Sequence, residues 1–129
     1  MKIVVGYTPN PEGRAALGRA ILEATAHGHD LLVLNASHGD RYVDPHFAGA
    51  DDLREIRELL DDSGLQYQLD QPVRGLDAAE ELVAAAGHDD VDMIIIGMRH
   101  RTAVGKFLLG STSQQVLLHA PCPVLGVKA

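Results

Sequence analysis

The amino-acid sequence predicts an α/β fold with one open, five-stranded parallel sheet, helices on both of its faces and the strand order 3-2-1-4-5. Five short apolar segments alternate with four segments of helical periodicity, which is the pattern of this class. Apolar runs without polar interruption, such as Met93–Ile96, are typical of strands that are buried on both faces. Right-handed crossovers between parallel strands leave few other strand orders. We therefore expect a single Rossmann-like domain over residues 1–129.

The first third of the chain is predicted to contain two strands and one helix. Lys2–Gly6 is a short apolar segment with the length of a buried strand. Asn10 is a good N-cap, and Pro11 suits the first helical position. The helical periodicity continues to Gly28, a residue type that commonly ends helices. The second predicted strand covers Leu31–Ala36.

The middle of the chain is predicted to contain a loop, two helices and an edge strand. Ser37–Ala48 is polar and without periodicity, which predicts a loop. A helix is expected over Asp51–Asp62. Its inward-facing residues would be Leu53, Ile56, Leu59 and Leu60. Gln66–Val73 alternates like a strand near the edge of the sheet, and Asp77 with Glu80 forms a capping-box pair that starts the next helix.

The last part of the chain is predicted to add a strand, a helix and a final strand. Val91–Gly97 is the fourth strand, and the fourth helix covers Ser111–His119, where Ser111 with Gln114 has the spacing of a capping box. Val124–Val127 is the fifth strand. In the order given above it lies at an edge, where unpaired backbone groups predict antiparallel pairing with the same strand of a second copy.

A cationic, glycine-bearing loop precedes the last predicted helix. Its glycines, basic residues and histidine are Gly97, Arg99, His100, Arg101, Gly105, Lys106 and Gly110. No acidic residue follows Asp92. Glycines let a backbone approach a ligand closely, and the N–H groups of Ser111–Ser113 would face an anion with the positive end of the helix dipole. The sequence therefore predicts an anion site, with phosphate as the anion.

The predicted fold places this loop beside the end of the first strand. Ligands of open parallel sheets bind beyond the carboxyl ends of the strands, where the direction of winding reverses. Gly6–Thr8 and Gly97–Gly110 both follow the carboxyl ends of predicted strands. We expect the first and fourth strands to flank the site.

The formal net charge of −7 is unevenly distributed along the chain. Residues 1–92 carry 7 Lys and Arg against 18 Asp and Glu, whereas residues 93–129 carry 4 Lys and Arg and no acid. The acidic body argues against binding along a nucleic-acid backbone, because such binding depends on neutralising many phosphates. A local basic segment suits one small anionic ligand.

Hydropathy and cysteine content predict a cytoplasmic protein. No apolar run approaches the ~18 residues that a membrane span needs, and Met1 leads directly into a predicted strand instead of a signal peptide. Cys122 is the only cysteine, so no intrachain disulfide can form, as is usual in a reducing compartment.

Three other phosphate-related patterns are absent. Gly105-Lys106 resembles the end of a Walker A loop, but His100 stands where that loop needs glycine and Phe107 where it needs Ser or Thr. No Gly-x-Gly-x-x-Gly follows the first strand, so the dinucleotide fingerprint is missing. A phospho-receiver would need acidic residues at the end of the first strand, and residues 6–9 contain none.

The spacing around the cationic loop resembles the signature of the universal stress protein family (UspA-like). That signature is Gly-x2-Gly-x9-Gly-(Ser/Thr), and here Gly97, His100 and Gly110, followed by Ser, occupy its positions. The ending His119–Lys128 resembles the family's final helix and strand, and the opening Val4–Pro9 resembles its first strand and turn. The resemblance extends over the full chain.

The resemblance implies a regulatory homodimer of the stress response that binds an adenine nucleotide, ATP or AMP, with or without Mg²⁺. Gly6–Thr8 and Ala36 would lie beside the adenine and ribose, Gly97 would allow close approach, and Gly110–Ser113 would hold the phosphates. The complete set of implied cofactor-binding residues is Gly6, Tyr7, Thr8, Ala36, Ile96, Gly97, Arg99, His100, Arg101, Gly110, Ser111, Thr112 and Ser113.

Two positions depart from the family pattern. Thr8 stands where nucleotide-binding members usually have an aspartate that helps to hold the nucleotide, and His100 replaces the second signature glycine. The His100 side chain would either narrow the cleft or, when protonated, bind phosphate. A dimeric scaffold without nucleotide and a slow ATPase are therefore the alternatives. The ATPase is disfavoured because the motif segment has no carboxylate to hold Mg²⁺ or to act as a base.

Four potential metal ligands, His38, Asp40, Asp44 and His46, lie close together in the predicted long loop. Their spacing matches no familiar metal motif, so we predict a solvated loop and no metal at this position.

Overall fold

The computed structural model of the chain describes residues 1–36, 47–73, 75–98 and 109–129. Its strands and helices alternate in the predicted order. They are β1 (Lys2–Gly6), α1 (Pro11–His27), β2 (Asp30–Leu34), α2 (Ala50–Ser63), β3 (Tyr67–Asp70), α3 (Ala78–Ala85), β4 (Val91–Met98), α4 (Ser111–His119) and β5 (Val124–Lys128).

The five strands form one parallel sheet in the order β3-β2-β1-β4-β5, which confirms the predicted topology. β1 lies in the centre, where Val4 is in register with Leu32 of β2 and Ile94 of β4. The chain proceeds from β1 outward to β2 and β3, then returns to β4 and β5 on the other side. The direction of winding therefore reverses between β1 and β4, and a crevice opens beyond their carboxyl ends.

The core lies in two layers, one on each face of the sheet. Alternation along β1 sends Ile3 and Val5 to the face covered by α1 and α2, and Val4 to the face covered by α3 and α4. Most of the buried side chains are Val, Leu, Ile and Ala, as the composition predicts, and Tyr7 is the buried aromatic residue among those described. The two covered faces fix α1 on one side of the crevice and α4 on the other.

Two of the predicted helix starts are confirmed by their capping hydrogen bonds. The Asn10 side chain accepts from the Gly13 N–H at 2.8 Å, with Pro11 in the first turn. Asp77 accepts from the Glu80 N–H at 2.8 Å, and the Glu80 carboxylate accepts from the Asp77 N–H at 3.3 Å. Because both caps are local, their sequence spacing was sufficient to predict them.

The predicted capping box of α4 is wrong. Ser111 is the first helical residue, and Gly110 is the N-cap, with extended backbone angles and no side chain to accept a hydrogen bond. The Gln114 N–H donates to the Gly110 carbonyl at 3.0 Å, which closes the first turn one residue earlier than the Ser111–Gln114 spacing suggested. The serine therefore contributes its N–H group to the helix start instead of capping it.

Two smaller predictions also differ from the structure. Leu59 is 48% exposed, whereas Ile56 and Leu60 are buried. Successive helical residues are about 100° apart, so Leu59 turns away when Leu60 faces the sheet. The second and third strands are shorter than predicted, because pairing between β2 and β3 ends at Leu34 and Asp70.

Candidate functional site

A cavity of about 550 Å³ opens at the carboxyl ends of β1 and β4, where the winding reverses. We call it the β1–β4 cleft. Ten of the thirteen predicted site residues line it: Gly6, Tyr7, Thr8, Ala36, Ile96, Gly97, Gly110, Ser111, Thr112 and Ser113. The other three, Arg99, His100 and Arg101, lie outside the described residues. The structure thus brings segments from four parts of the chain to one cavity.

Five further residues line the cleft without having been predicted. They are Asn10, Glu12, Leu34, Ala78 and Leu82. Asn10 caps α1 and Glu12 lies in its first turn, a short distance along the chain from the end of β1, so this nearness was a usable signal. Ala78 and Leu82 belong to α3, and only the packing of α3 against the sheet brings them to the cleft.

The cleft has a predominantly apolar side. Leu34 at the end of β2, Leu82 of α3 and Ile96 of β4 belong to the core layer beneath α3 and α4. Ala36 is 7% exposed and continues this surface beyond β2. Small and aliphatic side chains of this kind suit a flat, uncharged ring system better than a charged group.

Tyr7 lines the cleft, and it also belongs to the core layer beneath α1 and α2. Its N–H donates to the Leu34 carbonyl at 2.8 Å. Burial, and next the carboxylate of Asp52, raise the pKa of the Tyr7 phenol above its usual value of 10.0. The phenol is therefore a buried neutral group of the core.

A fully buried asparagine, Asn35, fixes the backbone around the Tyr7 side of the cleft. Its amide group donates to the Tyr7 carbonyl at 2.8 Å and accepts from the Ala48 N–H at 2.6 Å. Gln71 donates to the same Asn35 oxygen at 3.0 Å and to the Ala48 carbonyl at 2.9 Å. These bonds join the ends of β1 and β2 to the segment that begins at residue 47 and to the end of β3. The sequence analysis missed this role of Asn35.

Thr8 is held in place by the turn that leads into α1. Its hydroxyl donates to the Asn10 side chain at 2.8 Å, and the same Asn10 oxygen caps α1. A side chain on Gly13 would overlap the Thr8 carbonyl, so only glycine allows the turn to lie this close to the helix. Thr8 therefore presents a fixed, uncharged surface to the cleft.

Gly97 is required by packing against α1. A Cβ atom at this position would overlap the Glu12 carbonyl oxygen and lie 2.9 Å from the Glu12 Cβ. The prediction assigned Gly97 to close approach of a ligand. The structure shows a close approach by the first turn of α1, and Gly97 also lines the cleft.

The N-terminus of α4 forms the polar wall of the cleft. Ser111 is exposed, Thr112 is half-buried and Ser113 is 9% exposed. The N–H groups of the first helical turn have no acceptor within the helix, and they carry the positive end of the helix dipole. Such a wall attracts an anion.

No helix within the described ranges is long and apolar enough to cross a membrane. Likewise, no group of three or more His, Cys, Asp or Glu residues in this part of the chain is arranged to hold a metal ion. The candidate ligands His38, Asp40, Asp44 and His46 lie outside the described residues.

An open parallel sheet with a cavity at the point where its winding reverses defines a doubly wound α/β protein. The chain matches the sequence model of the Universal stress protein family over residues 1–128, and it belongs to this family. It is 48% identical over 126 residues to a universal stress protein of Mycolicibacterium smegmatis, covering 98% of this chain and 96% of that one.

Solved structures share the fold. A universal stress protein of Archaeoglobus fulgidus superposes with a TM-score of 0.77 at 26% identity, over 99% of this chain and 98% of that chain. A structure of the universal stress protein from the same organism in complex with dAMP has a TM-score of 0.69 at 24% identity, with the same coverage.

Proposed function

We propose that this chain binds an adenine nucleotide in the β1–β4 cleft and acts as a nucleotide-dependent regulatory protein of the stress response. One observation carries the proposal. A cavity with an apolar side opens onto the N-terminus of α4 at the reversal point of the sheet. Fixed backbone N–H groups at a helix start suit the phosphates, and the apolar side suits the base.

The cavity has a suitable size for such a ligand. Its volume of about 550 Å³ lies within the range of about 300–1,000 Å³ that is usual for small-molecule sites. The adenine would lie against Ala36, Leu34 and Leu82, and the phosphates would accept from the N–H groups of Ser111–Ser113. This assignment places an apolar ring on apolar surface and anionic groups at the positive end of α4.

The ligands of structural neighbours support an adenine nucleotide in particular. The A. fulgidus protein of this fold was solved with dAMP, and two further structures of the fold were solved with cAMP and with AMP. All three ligands contain adenine, a sugar and one phosphate. They differ in sugar and phosphate linkage, which suggests that the adenine and the first phosphate are the common features.

The proposed active form is a homodimer in the cytoplasm, joined through the open edge of β5. Among the described strands, β5 pairs with β4 alone, at the end of the strand order. Leu117 and Leu118, in the last turn of α4, are 49% and 73% exposed and precede β5 in the chain. A strand at the edge of a sheet, next to exposed leucines, favours association with a second copy.

A charge change at the start of α4 tests the nucleotide proposal. Ser111→Glu places a carboxylate where the phosphates would bind, while an acidic residue in the first turn favours the helix itself. We expect the affinity for ATP, measured by equilibrium dialysis, to fall by about tenfold or more with no loss of thermal stability. Ser111→Gln, similar in size and neutral, is the matched control and should retain most of the affinity.

The outcomes separate the candidate functions. Equal ATP affinity for Ser111→Glu and Ser111→Gln would remove the α4 N-terminus from the site. If the unchanged chain binds no adenine nucleotide at all, the scaffold alternative replaces the proposal.

A further inference from the structure

We propose that Leu82 of α3 determines which bases the β1–β4 cleft accepts. Its methyl groups set the size limit on the base, and the missing side chain of Gly6 keeps those methyl groups out of the space of the nucleotide. This inference rests on the proposed nucleotide binding, and it adds the pair of residues that selects the ligand. Leu82 was not among the predicted site residues.

The contacts of Leu82 show where its side chain lies. A Cβ atom added to Gly6 would be 3.0 Å from Leu82 Cδ1 and 3.4 Å from Leu82 Cδ2. Both methyl groups therefore lie beside the backbone of the last residue of β1. Gly6 and Leu82 both line the cleft, so the methyl groups are at the point where the strand opens into the cavity.

The surroundings of Leu82 make it a fixed wall. The residue is 4% exposed and belongs to the core layer beneath α3 and α4. Ile96 Cγ2 is 3.4 Å from the same added Cβ atom, so a β4 side chain closes the other side of this position. Among the described residues that line the cleft, α3 contributes Ala78 and Leu82. Because alanine carries one methyl group, Leu82 supplies the bulk of the α3 wall.

Space, and not backbone conformation, explains the glycine at position 6. The φ angle of Gly6 is outside the left-handed region, so the backbone does not require glycine there. The 3.0 Å separation is shorter than the about 3.5–4.0 Å that suits two carbon atoms, so an added Cβ would displace Leu82. Leu82 is otherwise packed in the core, and the cleft is the space open to it. Its methyl groups would therefore move towards the nucleotide.

A purely structural role of Leu82 in the core is the competing explanation. In that case, shortening the side chain would lower stability and weaken the binding of every nucleotide by a similar factor. A size limit predicts a different result, because the affinity for a nucleotide with an enlarged base should rise relative to that for ATP. The ratio of the two affinities therefore separates the explanations.

Calorimetric titration with ATP and with benzyl-ATP, in which the amino group of adenine carries a benzyl group, measures this ratio. We expect the unchanged chain to prefer ATP by about tenfold or more. In Leu82→Ala the preference should fall to about threefold or less, because the removed carbons leave space beside the base. Val91→Ala is the matched control and should keep the preference. It removes methyl groups from the same core layer at the amino end of β4, away from the cleft.

Two further variants keep the test independent of the stability of Leu82→Ala. Leu82→Val removes one carbon and should lower the preference by a smaller factor. Gly6→Ala should weaken ATP binding by about fivefold or more, because Leu82 is displaced into the cleft. In the double variant Gly6→Ala/Leu82→Val, most of this loss should be regained, because the shorter side chain leaves room for the alanine.

The inference is overturned if the unchanged chain binds both nucleotides equally well, or if Leu82→Ala and Val91→Ala show the same preference. It is also overturned if the double variant binds ATP as weakly as Gly6→Ala does, which would assign the loss to direct contact between the alanine and the nucleotide. These results leave ATP binding to the unchanged chain intact. Absence of that binding would contradict the proposed function itself.

Discussion

Single glycines decide how closely α1 approaches the sheet. Gly97→Ala would force a Cβ atom into the Glu12 carbonyl, and because backbone cannot move aside as easily as a flexible side chain, α1 must shift. We expect a loss of about 1–3 kcal/mol in the free energy of unfolding, measured by urea denaturation. Gly18 of α1 is the control position, since an added Cβ there meets nothing within 4 Å.

Gly18→Ala should have the opposite sign. Alanine in a helix interior is favoured over glycine by about 1 kcal/mol, so this variant should be more stable than the unchanged chain. A Gly97→Ala variant that is as stable as Gly18→Ala would show that α1 does not rest on β4 in the way described.

Tyr7 makes the folded state sensitive to alkaline pH. Burial and the nearby Asp52 raise the pKa of its phenol above 10.0 in the folded chain, so the unfolded chain loses this proton first as pH rises. The contribution of the Tyr7 phenol to the free energy of unfolding is fully present below about pH 10, and it is lost as the pH rises through the folded-state pKa. Between pH 9 and pH 11, the free energy of unfolding of Tyr7→Phe should therefore fall less than that of the unchanged chain.

Tyr67 provides the comparison for that pH experiment. Its pKa is also raised, first by its hydrogen bond to Asp61 at 2.6 Å, but the residue is only half-buried at the margin of the core, and this hydrogen bond is exposed. Tyr67→Phe should change the slope of the free energy of unfolding against pH, between pH 9 and pH 11, less than Tyr7→Phe does. The reason is that solvent screens the interaction between Tyr67 and Asp61. Identical slopes for the unchanged chain and Tyr7→Phe would contradict the burial of a neutral phenol.

At the scale of elements, Asn35 holds together the backbone beside the cleft. Asn35→Leu keeps a similar volume but leaves the Tyr7 carbonyl and the Ala48 N–H without this partner. Each unpaired buried group costs about 1–3 kcal/mol, so urea denaturation should show a large loss of stability. Gln71→Leu, at a half-buried position of the same network, should cost less. Equal losses would mean that the network is not centred on Asn35.

The helix caps that were predicted correctly are those whose capping side chain lies close in sequence to its partner. The starts of α1 and α3 follow from caps made within three residues, by Asn10 and Asp77, and these are visible in sequence. The range of α4, Ser111–His119, was predicted correctly, but its cap was assigned to Ser111 because the actual N-cap, Gly110, has no side chain and leaves no capping signature. Asn35 was missed for a different reason, since its partner Gln71 is 36 residues away in the chain.

At the scale of the whole molecule, the hydrophobic pattern predicted a parallel sheet covered by helices, and the family signature pointed to one end of that sheet. The apolar runs and helical periodicity predicted alternating strands and helices. The right-handedness of the crossovers then reduced the possible strand orders to a few. The wall supplied by α3, at Ala78 and Leu82, depends on how that helix packs and had no signature of its own. Glu12 was overlooked because a single acid in a first helical turn is common on any helix.

The proposed dimer makes a prediction about individual backbone groups of β5. The Ile94 N–H donates to the Pro123 carbonyl at 3.0 Å, and the register pairs Ile94 with Val124. In a parallel ladder of this register the Leu125 N–H faces β4, whereas the Val124 N–H faces the open edge. Val124→Pro therefore removes a donor from the edge alone and should shift the mass from dimer towards monomer in light scattering.

Leu125→Pro is the contrasting variant, because it removes a donor within the sheet and should destabilise the fold itself. The edge of β5 is not the interface if Val124→Pro stays folded and fully dimeric. It is also excluded if the unchanged chain is monomeric at the concentrations used.

The most direct test of the account as a whole is to locate the nucleotide by nuclear magnetic resonance. An isotope-labelled sample is titrated with ATP in Mg²⁺, and backbone amide shifts are followed by residue. We predict that shifts saturate and concentrate at Gly110–Ser113, Gly6–Thr8 and Ala36, with smaller changes near Glu12. Saturating shifts confined to residues remote from the β1–β4 cleft, or no shifts at millimolar ATP, would contradict the central claim.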